Sequence, residues 1–202
     1  MEDKMEDKII NAARTVFIEK GYAETSMSEI AAVAGINRPA LHYYFRTKDK
    51  MYQAVFGSIV SSVVPTVFDA LMHKEKSIAE RIEIIIDAYY SLFEKNPQLP
   101  MFVFRELNRD PELLISAIRG VSVLGTARDI IGSLQEEMNE GRLKSVPPQI
   151  LFYNFYSLLV FPFLTKSIAT IAFGNTEEQF KAMLTDWKWN IVARMRNLLE
   201  VE

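Results

Sequence analysis

Cysteine is missing from this chain of 202 residues, and histidine occurs only at His42 and His73. Without cysteine the chain can form no disulfide framework and offers no thiolate nucleophile, which is typical of proteins from a reducing compartment. The two histidines stand in no ligand spacing, so we expect neither a metal site nor another cofactor. The sequence also lacks a G-x-S-x-G pattern, a glycine-rich phosphate loop and a histidine cluster, so we do not expect an enzyme.

Long uninterrupted apolar runs are missing as well. The first residues, MEDKMEDKIINAAR, are charged where a secretory signal needs an apolar stretch. The most apolar region, residues 149–173, is interrupted by Asn154, Pro162 and Lys166, and no run reaches the roughly 18 apolar residues of a membrane span. We therefore expect no membrane segment and a cytoplasmic location.

Charge is distributed unevenly, although the net charge is only −3. A local excess of cations lies in residues 36–55, where Asp49 is the single acid against Arg38, Arg46, Lys48 and Lys50. A basic cluster on an otherwise acidic chain is typical of a small surface that binds an anionic partner.

Three short helices are predicted at the start of the chain. Gly21 follows a first stretch with apolar residues at helical spacing, and Gly35 follows a second. Asn37 then offers a cap to a third helix, with Pro39 in its first turn. The first two helices are expected at about residues 6–20 and 28–34, and the third is expected to begin after residue 37. Two short helices joined by a glycine-containing turn form a helix-turn-helix.

The third helix would have two unlike faces. Leu41 and Phe45, four residues apart, share an inward face. The outer face carries polar and aromatic groups that a core does not need, namely Arg38, Pro39, His42 and Tyr43. Since a helix of this size fits the major groove of DNA, this face predicts DNA binding.

Residues 25–52, TSMSEIAAVAGINRPALHYYFRTKDKMY, resemble the DNA-binding segment of the TetR family of bacterial transcriptional regulators. The family pattern is a Thr-Thr or Thr-Ser cap, I-A-x-x-A-G, a recognition helix that ends L-Y-Y-x-F, and a Ser- or Thr-Lys-Asp/Glu start to a fourth helix. The resemblance covers about residues 9–56. It departs from the family at His42, where tyrosine is common, and at Pro39, where glycine is common, so the base preference does not follow from the family.

The resemblance implies two groups of DNA contacts. Contacts to the DNA backbone are implied for Thr25, Tyr43, Tyr44 and Lys48. Contacts to base edges or thymine methyl groups are implied for Arg38, Pro39, Ala40 and His42. Residue chemistry agrees for two of them, because Lys48 lies at a helix start, where amides attract phosphate, and Arg38 can bind guanine through two hydrogen bonds.

Other interpretations stay open for several of these residues. Adjacent tyrosines pack in cores or on surfaces more often than they bind nucleic acid, so the alternative for Tyr44 is a packed ring with only its hydroxyl near a phosphate. His42 is equally compatible with a solvent-facing position without function, and Lys50 with a solvated helix charge. The alternative function is a helix-turn-helix adaptor that binds protein without specific DNA binding.

From residue 51 onward the chain reads as helices almost throughout. We therefore predict a helix-turn-helix DNA-binding domain at residues 1–50 and a helical ligand-binding and dimerisation domain at residues 51–202. The resemblance implies a small molecule that changes the separation of two DNA-binding heads. An apolar or aromatic ligand would meet rings at helical spacing, with Arg105 or Asn154 as polar anchors; the rings are Tyr89, Phe93, Phe102, Phe104, Tyr153 and Tyr156. The alternatives are that these rings belong to the core and that Arg105 only pairs with Glu106.

Two apolar segments near the end of the chain predict a homodimer. Residues 148–172 are apolar on nearly all sides, and residues 176–199 carry a stripe at spacings of three and four. A single chain of this size would have difficulty in burying both apolar segments. We therefore expect a two-fold interface of four helices, two from each protomer, as the resemblance also implies. The alternative is that both segments are internal core.

The sequence thus predicts an all-α protein with an N-terminal three-helix helix-turn-helix domain and a C-terminal helical domain. We expect a homodimer that binds double-stranded DNA at a pseudo-palindromic operator. The expected role is that of a repressor, released when a small-molecule effector favours a conformation unsuited to the operator.

Overall fold

The computed structural model describes residues 2–119 and 123–201, and within these ranges it contains twelve helices and no strand. The predicted all-α fold is therefore confirmed. The helices are α1 (Glu2–Glu24), α2 (Met27–Val33), α3 (Arg38–Tyr44), α4 (Lys48–Ser61), α5 (Val64–Met72), α6 (Ile78–Lys95), α7 (Leu99–Arg109), α8 (Pro111–Arg119), α9 (Val123–Asn139), α10 (Pro148–Leu164), α11 (Lys166–Phe173) and α12 (Glu177–Leu199).

Side-chain caps fix where the short N-terminal helices begin. The side chains of Ser26, Asn37 and Thr47 accept the backbone N–H groups three residues further on, at 3.2, 2.8 and 3.2 Å. Each cap satisfies an amide that would otherwise lack a partner, which stabilises a helix start by about 1 kcal/mol. Further along, Ser77 opens α6 and Thr176 opens α12 with reciprocal capping boxes.

The chain divides into two compact units. The first unit consists of Met1–Val64 and Met101–Leu124, and the second consists of Pro65–Pro100 and Gly125–Glu202. The helix-turn-helix lies within the first unit. The domain boundary that we place at residue 50 stays a prediction.

In the first unit, α4 packs against α1 and α8, and α2 packs against α1 and α3. Its core is aromatic: the Phe102 ring, 1 % exposed, lies 6.3 Å from the Tyr52 ring and 6.4 Å from the Phe56 ring, centroid to centroid. Among the described residues of this unit, one carboxylate is buried, that of Glu106. The core therefore combines packed aromatic rings with a buried carboxyl group.

The second unit is built on α6, α10 and α12. Ile86, Leu159 and Ile191 are fully buried in it. The Arg81 guanidinium and the Glu137 carboxylate are also buried, and they form two hydrogen bonds of 2.7 and 2.9 Å. This pair links α6 to the end of α9.

In the part of the chain that the structure describes, two stretches have the length and apolar composition of a membrane span. One is Lys48–Met72, which covers α4 and α5; the other is α10 with α11, which are bent by 63° at their junction. Core helices of soluble proteins share this composition, and Met51, Tyr52 and Val55 of α4 are buried in the first unit. The absence of a membrane segment stays an expectation.

Candidate DNA-binding interface

The turn between α2 and α3 has the backbone that the helix-turn-helix motif needs. Gly35 has a φ of +67°, a conformation that favours glycine. The amides of Gly35 and Ile36 donate to the carbonyls of Ala32 and Ala31 at 3.1 and 3.0 Å. Leu41 and Phe45 point inward, with 0 and 7 % of their surface exposed, as the sequence predicts.

The opposite face of α3 is open to solvent. Arg38, Pro39 and His42 are exposed, and Tyr43 is 74 % exposed. Ala40 is half-buried between them. The structure therefore brings the predicted base-contacting residues together on the first two turns of one helix, without apolar cover.

The two tyrosines at the end of α3 have different surroundings. Their rings meet edge to face, with centroids 5.3 Å apart. Tyr43 is exposed, whereas Tyr44 is half-buried. This difference matches the interpretation in which Tyr44 packs through its ring and only Tyr43 presents its whole side chain to a partner.

Lys48 is the first residue of α4, directly after the capping Thr47. Its ammonium donates to the Ala23 carbonyl at 3.3 Å and lies 4.4 Å from the centroid of the Tyr22 ring. Partial burial, together with the nearby Arg109 charge, lowers the pKa of Lys48. A cation held at the start of a helix, beside free amides, is suited to a phosphate.

Thr25 differs from its expected position. Its side chain is 2 % exposed, and its hydroxyl donates to the Gly21 carbonyl at 2.7 Å. The cap of α2 is Ser26, which is exposed. The hydroxyl of Thr25 therefore serves the junction between α1 and α2, and a DNA contact at this residue would have to use its main chain.

Sequence reasoning missed a group of residues behind Lys48. The Glu106 carboxylate accepts the Tyr22 amide at 3.2 Å, the Tyr52 hydroxyl at 3.3 Å and Nε of Arg109 at 2.8 Å. The Arg109 guanidinium lies 4.3 Å from the centroid of the Tyr22 ring. Glu106 is 84 residues from Tyr22, and no local pattern in the sequence signals this contact.

The second unit contains an apolar cavity of about 310 Å³. Most of its lining is aliphatic or aromatic, and its polar side chains are those of Gln135 and Tyr156. The Tyr156 hydroxyl is 2.6 Å from the Tyr89 hydroxyl, and burial raises the pKa of both groups. The lining includes Leu71, Ile82, Ile130, Leu134, Leu151 and Phe155.

The six rings predicted for a ligand pocket, with Arg105 or Asn154 as polar anchors, are divided between the two units. Tyr156 lines the cavity, and the Tyr89 hydroxyl is hydrogen-bonded to the Tyr156 hydroxyl. Phe93 lines a separate cleft of the same unit. Tyr153 is 68 % exposed. Phe102 belongs to the core of the first unit, and Arg105 of that unit lies against Gly21. The spacing of these residues predicted that they lie on helices, but it did not indicate whether the apolar face of each helix lines a cavity or packs in the core.

Potential metal ligands are dispersed. Within residues 2–119 and 123–201, no group of three or more histidine, aspartate or glutamate side chains could hold a metal ion.

Comparison with known proteins gives a match to the segment that contains the helix-turn-helix. Residues 9–55 match the family model described as bacterial regulatory proteins, tetR family. The chain is 29 % identical over 190 residues to the biofilm operon icaADBC HTH-type negative transcriptional regulator IcaR of Staphylococcus aureus, which covers 88 % of this chain and 93 % of IcaR.

Two further similarities differ in extent. The HTH-type transcriptional activator FasR of Mycolicibacterium smegmatis is 29 % identical over 102 residues, and the match spans about half of each chain, 50 % of this one and 46 % of FasR. The crystal structure of HlyIIR, a hemolysin II transcriptional regulator, superposes with a TM-score of 0.69 at 20 % identity over the full length of both chains. At this identity, the similarity to HlyIIR shows a common fold and nothing further.

Proposed function

Since this chain belongs to the TetR family of bacterial regulatory proteins, we propose that it is a DNA-binding transcriptional regulator that acts as a repressor. The observation that carries the proposal is the exposed face of α3, with Arg38, His42 and Tyr43 beside the basic start of α4. The match to IcaR, which is named a negative regulator, extends over most of both chains and supports repression.

Each group on this face has a distinct task. Lys48, Tyr43 and the Tyr44 hydroxyl bind phosphates, which fixes the position of α3 on the duplex but reads no sequence. Arg38 donates two hydrogen bonds to a guanine in the major groove, and Pro39, Ala40 and His42 approach neighbouring bases. Two copies of the unit read the halves of a pseudo-palindrome, about one helical turn apart.

A homodimer supplies the second copy. Four large apolar side chains of α10 and α11 are between 64 and 85 % exposed, namely Phe161, Ile168, Ile171 and Phe173. An exposed apolar surface of this kind marks an interaction site. We propose the interface at residues 148–172 and 176–199, and sedimentation of the chain as a monomer at micromolar concentration would contradict it.

The effector is proposed to bind in the cavity of the second unit. Because the cavity lining contains no charged side chain, an ionised group in its interior would be left without a partner, at a cost of several kcal/mol. We therefore propose a neutral, mainly hydrocarbon effector with a hydrogen-bonding group near Gln135 or Tyr156. The effector can weaken DNA binding only to the extent that it binds the released conformation more tightly than the DNA-binding conformation.

Selection of bound duplexes from a random pool tests the DNA-binding role. The Arg38→Ala variant should lose preference at one base pair of each half-site, by about 1–3 kcal/mol, because the bidentate contact is gone. Tyr43→Ala should weaken binding to all sequences. Lys50→Ala, an exposed cation on the same helix as Lys48, is the control and should leave the selected sequence unchanged. An unchanged preference in Arg38→Ala would remove Arg38 from base recognition.

The effector proposal is tested with matched neutral and ionised probes. Long-chain alcohols should raise the melting temperature of the protein more than carboxylates of the same chain length. The Leu134→Trp variant fills the cavity and should lose this response. Leu107→Trp, at a position 48 % exposed in the first unit, should keep it. If Leu134→Trp and Leu107→Trp showed the same rise in melting temperature, the alcohol would bind outside the cavity.

The adaptor alternative is not favoured, because the family match covers the DNA-binding segment itself. A gel shift with genomic fragments at two salt concentrations separates the two functions, since an adaptor forms no specific complex. We further propose that the protein is cytoplasmic, where its DNA is, and that it has no enzymatic activity.

A further inference from the structure

The predicted phosphate-binding ammonium of Lys48 is held by the protein itself. Lysine has a long, flexible side chain, and the loss of this freedom normally opposes binding. Here the Nζ atom already has two fixed neighbours, the Ala23 carbonyl at 3.3 Å and the Tyr22 ring at 4.4 Å. A carbonyl takes one of the three ammonium protons, so the others stay available for a phosphate.

Tyr22 is fixed in turn from both ends. Its hydroxyl donates to the Asp49 carboxylate, one residue after Lys48 on α4. Its amide donates to the buried Glu106 at 3.2 Å. The ring packs at right angles to the Tyr52 ring, with centroids 5.3 Å apart. The ring therefore has little freedom to move relative to the start of α4.

Residues of α7 complete the support. Arg109 donates to Glu106 at 2.8 Å and places its guanidinium over the Tyr22 ring. The ring thus meets a fixed cation from α7 and the Lys48 cation from α4. Cations at such distances are attracted to the negative face of an aromatic ring, and arginine contributes planar stacking as well.

We propose that Tyr22 is a positioning residue for DNA binding, which orients the Lys48 ammonium toward a phosphate, and that Glu106 with Arg109 holds Tyr22 in place. The inference rests on the proposed DNA-binding function. None of these three residues needs to touch DNA. The ring orients Lys48, and the hydroxyl of Tyr22 matters less than the ring.

The test measures binding to a labelled duplex of mixed sequence as a function of salt, because phosphate contacts appear in the slope of log affinity against log salt. Tyr22→Leu removes the ring and should reduce the magnitude of this slope by up to about 0.9 for each Lys48 contact that is lost, as Lys48→Ala does. Tyr22→Phe keeps the ring and should retain the wild-type slope. Lys50→Ala is the control for the loss of a nearby charge.

A double variant separates positioning from a general structural effect. If Tyr22 acts through Lys48, Tyr22→Leu causes no further loss of slope when Lys48 is already alanine. An additional loss of the same size in that background, or an unchanged slope in Tyr22→Leu alone, overturns the inference. If the wild-type protein does not bind the duplex at all, the proposed function fails with it.

A second measurement does not depend on the folding of any ring variant. The Lys48 Nζ atom lies over the Tyr22 ring, 4.4 Å from its centroid. We therefore expect the methylene protons bonded to the adjacent carbon to give NMR signals shifted upfield by the ring current in wild-type protein with labelled lysine. The signal is assigned by its disappearance in Lys48→Arg. Lysine signals without such a shift would overturn the inference, whatever the DNA-binding result.

Discussion

Each of the two compact units buries one carboxylate among its described residues, and the two carboxylates have unlike partners. Glu137 of the second unit faces a guanidinium as buried as itself, since the Arg81 and Glu137 side chains are 3 and 2 % exposed. Glu106 of the first unit faces Arg109, which is 28 % exposed, and two hydrogen-bond donors from Tyr22 and Tyr52.

The partners indicate what each carboxylate does. Arg81 also donates through Nε and Nη2 to the carbonyls of Lys76 and Lys74, at 2.9 and 3.3 Å, so the pair joins a loop, α6 and α9. A second guanidinium, that of Arg142, lies 3.8 Å from the Glu137 carboxylate and is 43 % exposed. Glu106 instead connects to groups that reach the surface near Lys48. A buried ion pair is therefore not informative by itself; what distinguishes Glu106 is that its partners contact Lys48 and Tyr22 at the candidate DNA-binding interface.

The largest expected effect is on the buried pair of Arg81 and Glu137. Glu137→Ala leaves the Arg81 guanidinium buried without its partner, and we expect a loss of about 3–5 kcal/mol in the free energy of unfolding. Urea unfolding followed by circular dichroism measures it. Replacing both partners by apolar residues, Arg81→Met with Glu137→Leu, should recover much of the loss, because no buried charge remains.

An exposed pair close by provides the control. Lys74 lies 3.0 Å from Glu136, whose side chain is 68 % exposed, and Lys74→Ala should cost less than about 1 kcal/mol. The folded fraction of Glu137→Ala should bind DNA with the wild-type salt slope, whereas Glu106→Gln should not. If both carboxylate variants changed the slope alike, the distinction between the two units would be lost.

A smaller effect is expected from the glycines with positive φ. Gly21 of the first unit has φ +79° and ψ 173°, a region used almost only by glycine, so Gly21→Ala should cost about 1–3 kcal/mol. An alanine Cβ would also approach the Arg105 guanidinium at 2.9 Å, but this end of the side chain can move away.

Gly174 of the second unit is the matched comparison. Its φ is +67° and ψ 22°, in the left-handed helical region, and a Cβ there would meet no atom within 4 Å. Gly174→Ala should therefore cost less than Gly21→Ala in the same urea experiment, about 1 kcal/mol. Equal losses would mean that the unusual ψ of Gly21 carries no additional strain.

The sequence predicted the first unit better than the second because its signals are local. Asn37 caps α3, Gly35 has a positive φ, and Leu41 points inward, as the spacing of a few neighbouring residues indicates. The capping boxes at Ser77 and Thr176 of the second unit are local signals of the same kind, Ser-x-x-Glu and Thr-x-x-Gln.

Contacts between distant segments could not be predicted in this way. Glu106 meets Tyr22 across 84 positions, and a charged residue beside Arg105 reads equally well as an ordinary surface pair. The cavity lining draws on five helices, so the spacing within any one of them shows only that a face is apolar. Thus Phe102 and Tyr156 are both aromatic residues at helical spacing in the sequence. In the structure, Phe102 is buried in the core of the first unit, whereas Tyr156 lines the cavity of the second.

The smallest expected effect concerns a hydroxyl of the second unit. The Tyr90 hydroxyl is buried and has no hydrogen-bond partner among the described residues, in contrast to that of Tyr52 in the first unit. Tyr90→Phe removes an unsatisfied group, so at neutral pH we expect a change below about 1 kcal/mol, toward higher stability. Burial, and then the charge of Asp87, raises the pKa of Tyr90 to about 12.

This raised pKa determines how the variant responds to alkali. Between about pH 10 and about 12 the unfolded chain releases the tyrosine proton while the folded chain keeps it, so the free energy of unfolding falls as the pH rises. Tyr90→Phe lacks this group and should lose less stability over the same interval in urea unfolding. Tyr153→Phe, at a ring 68 % exposed, should follow the wild-type curve. An alkaline loss as large in Tyr90→Phe as in the wild type would show that other groups cause it, and that the unpartnered hydroxyl does not distinguish the second unit from the first.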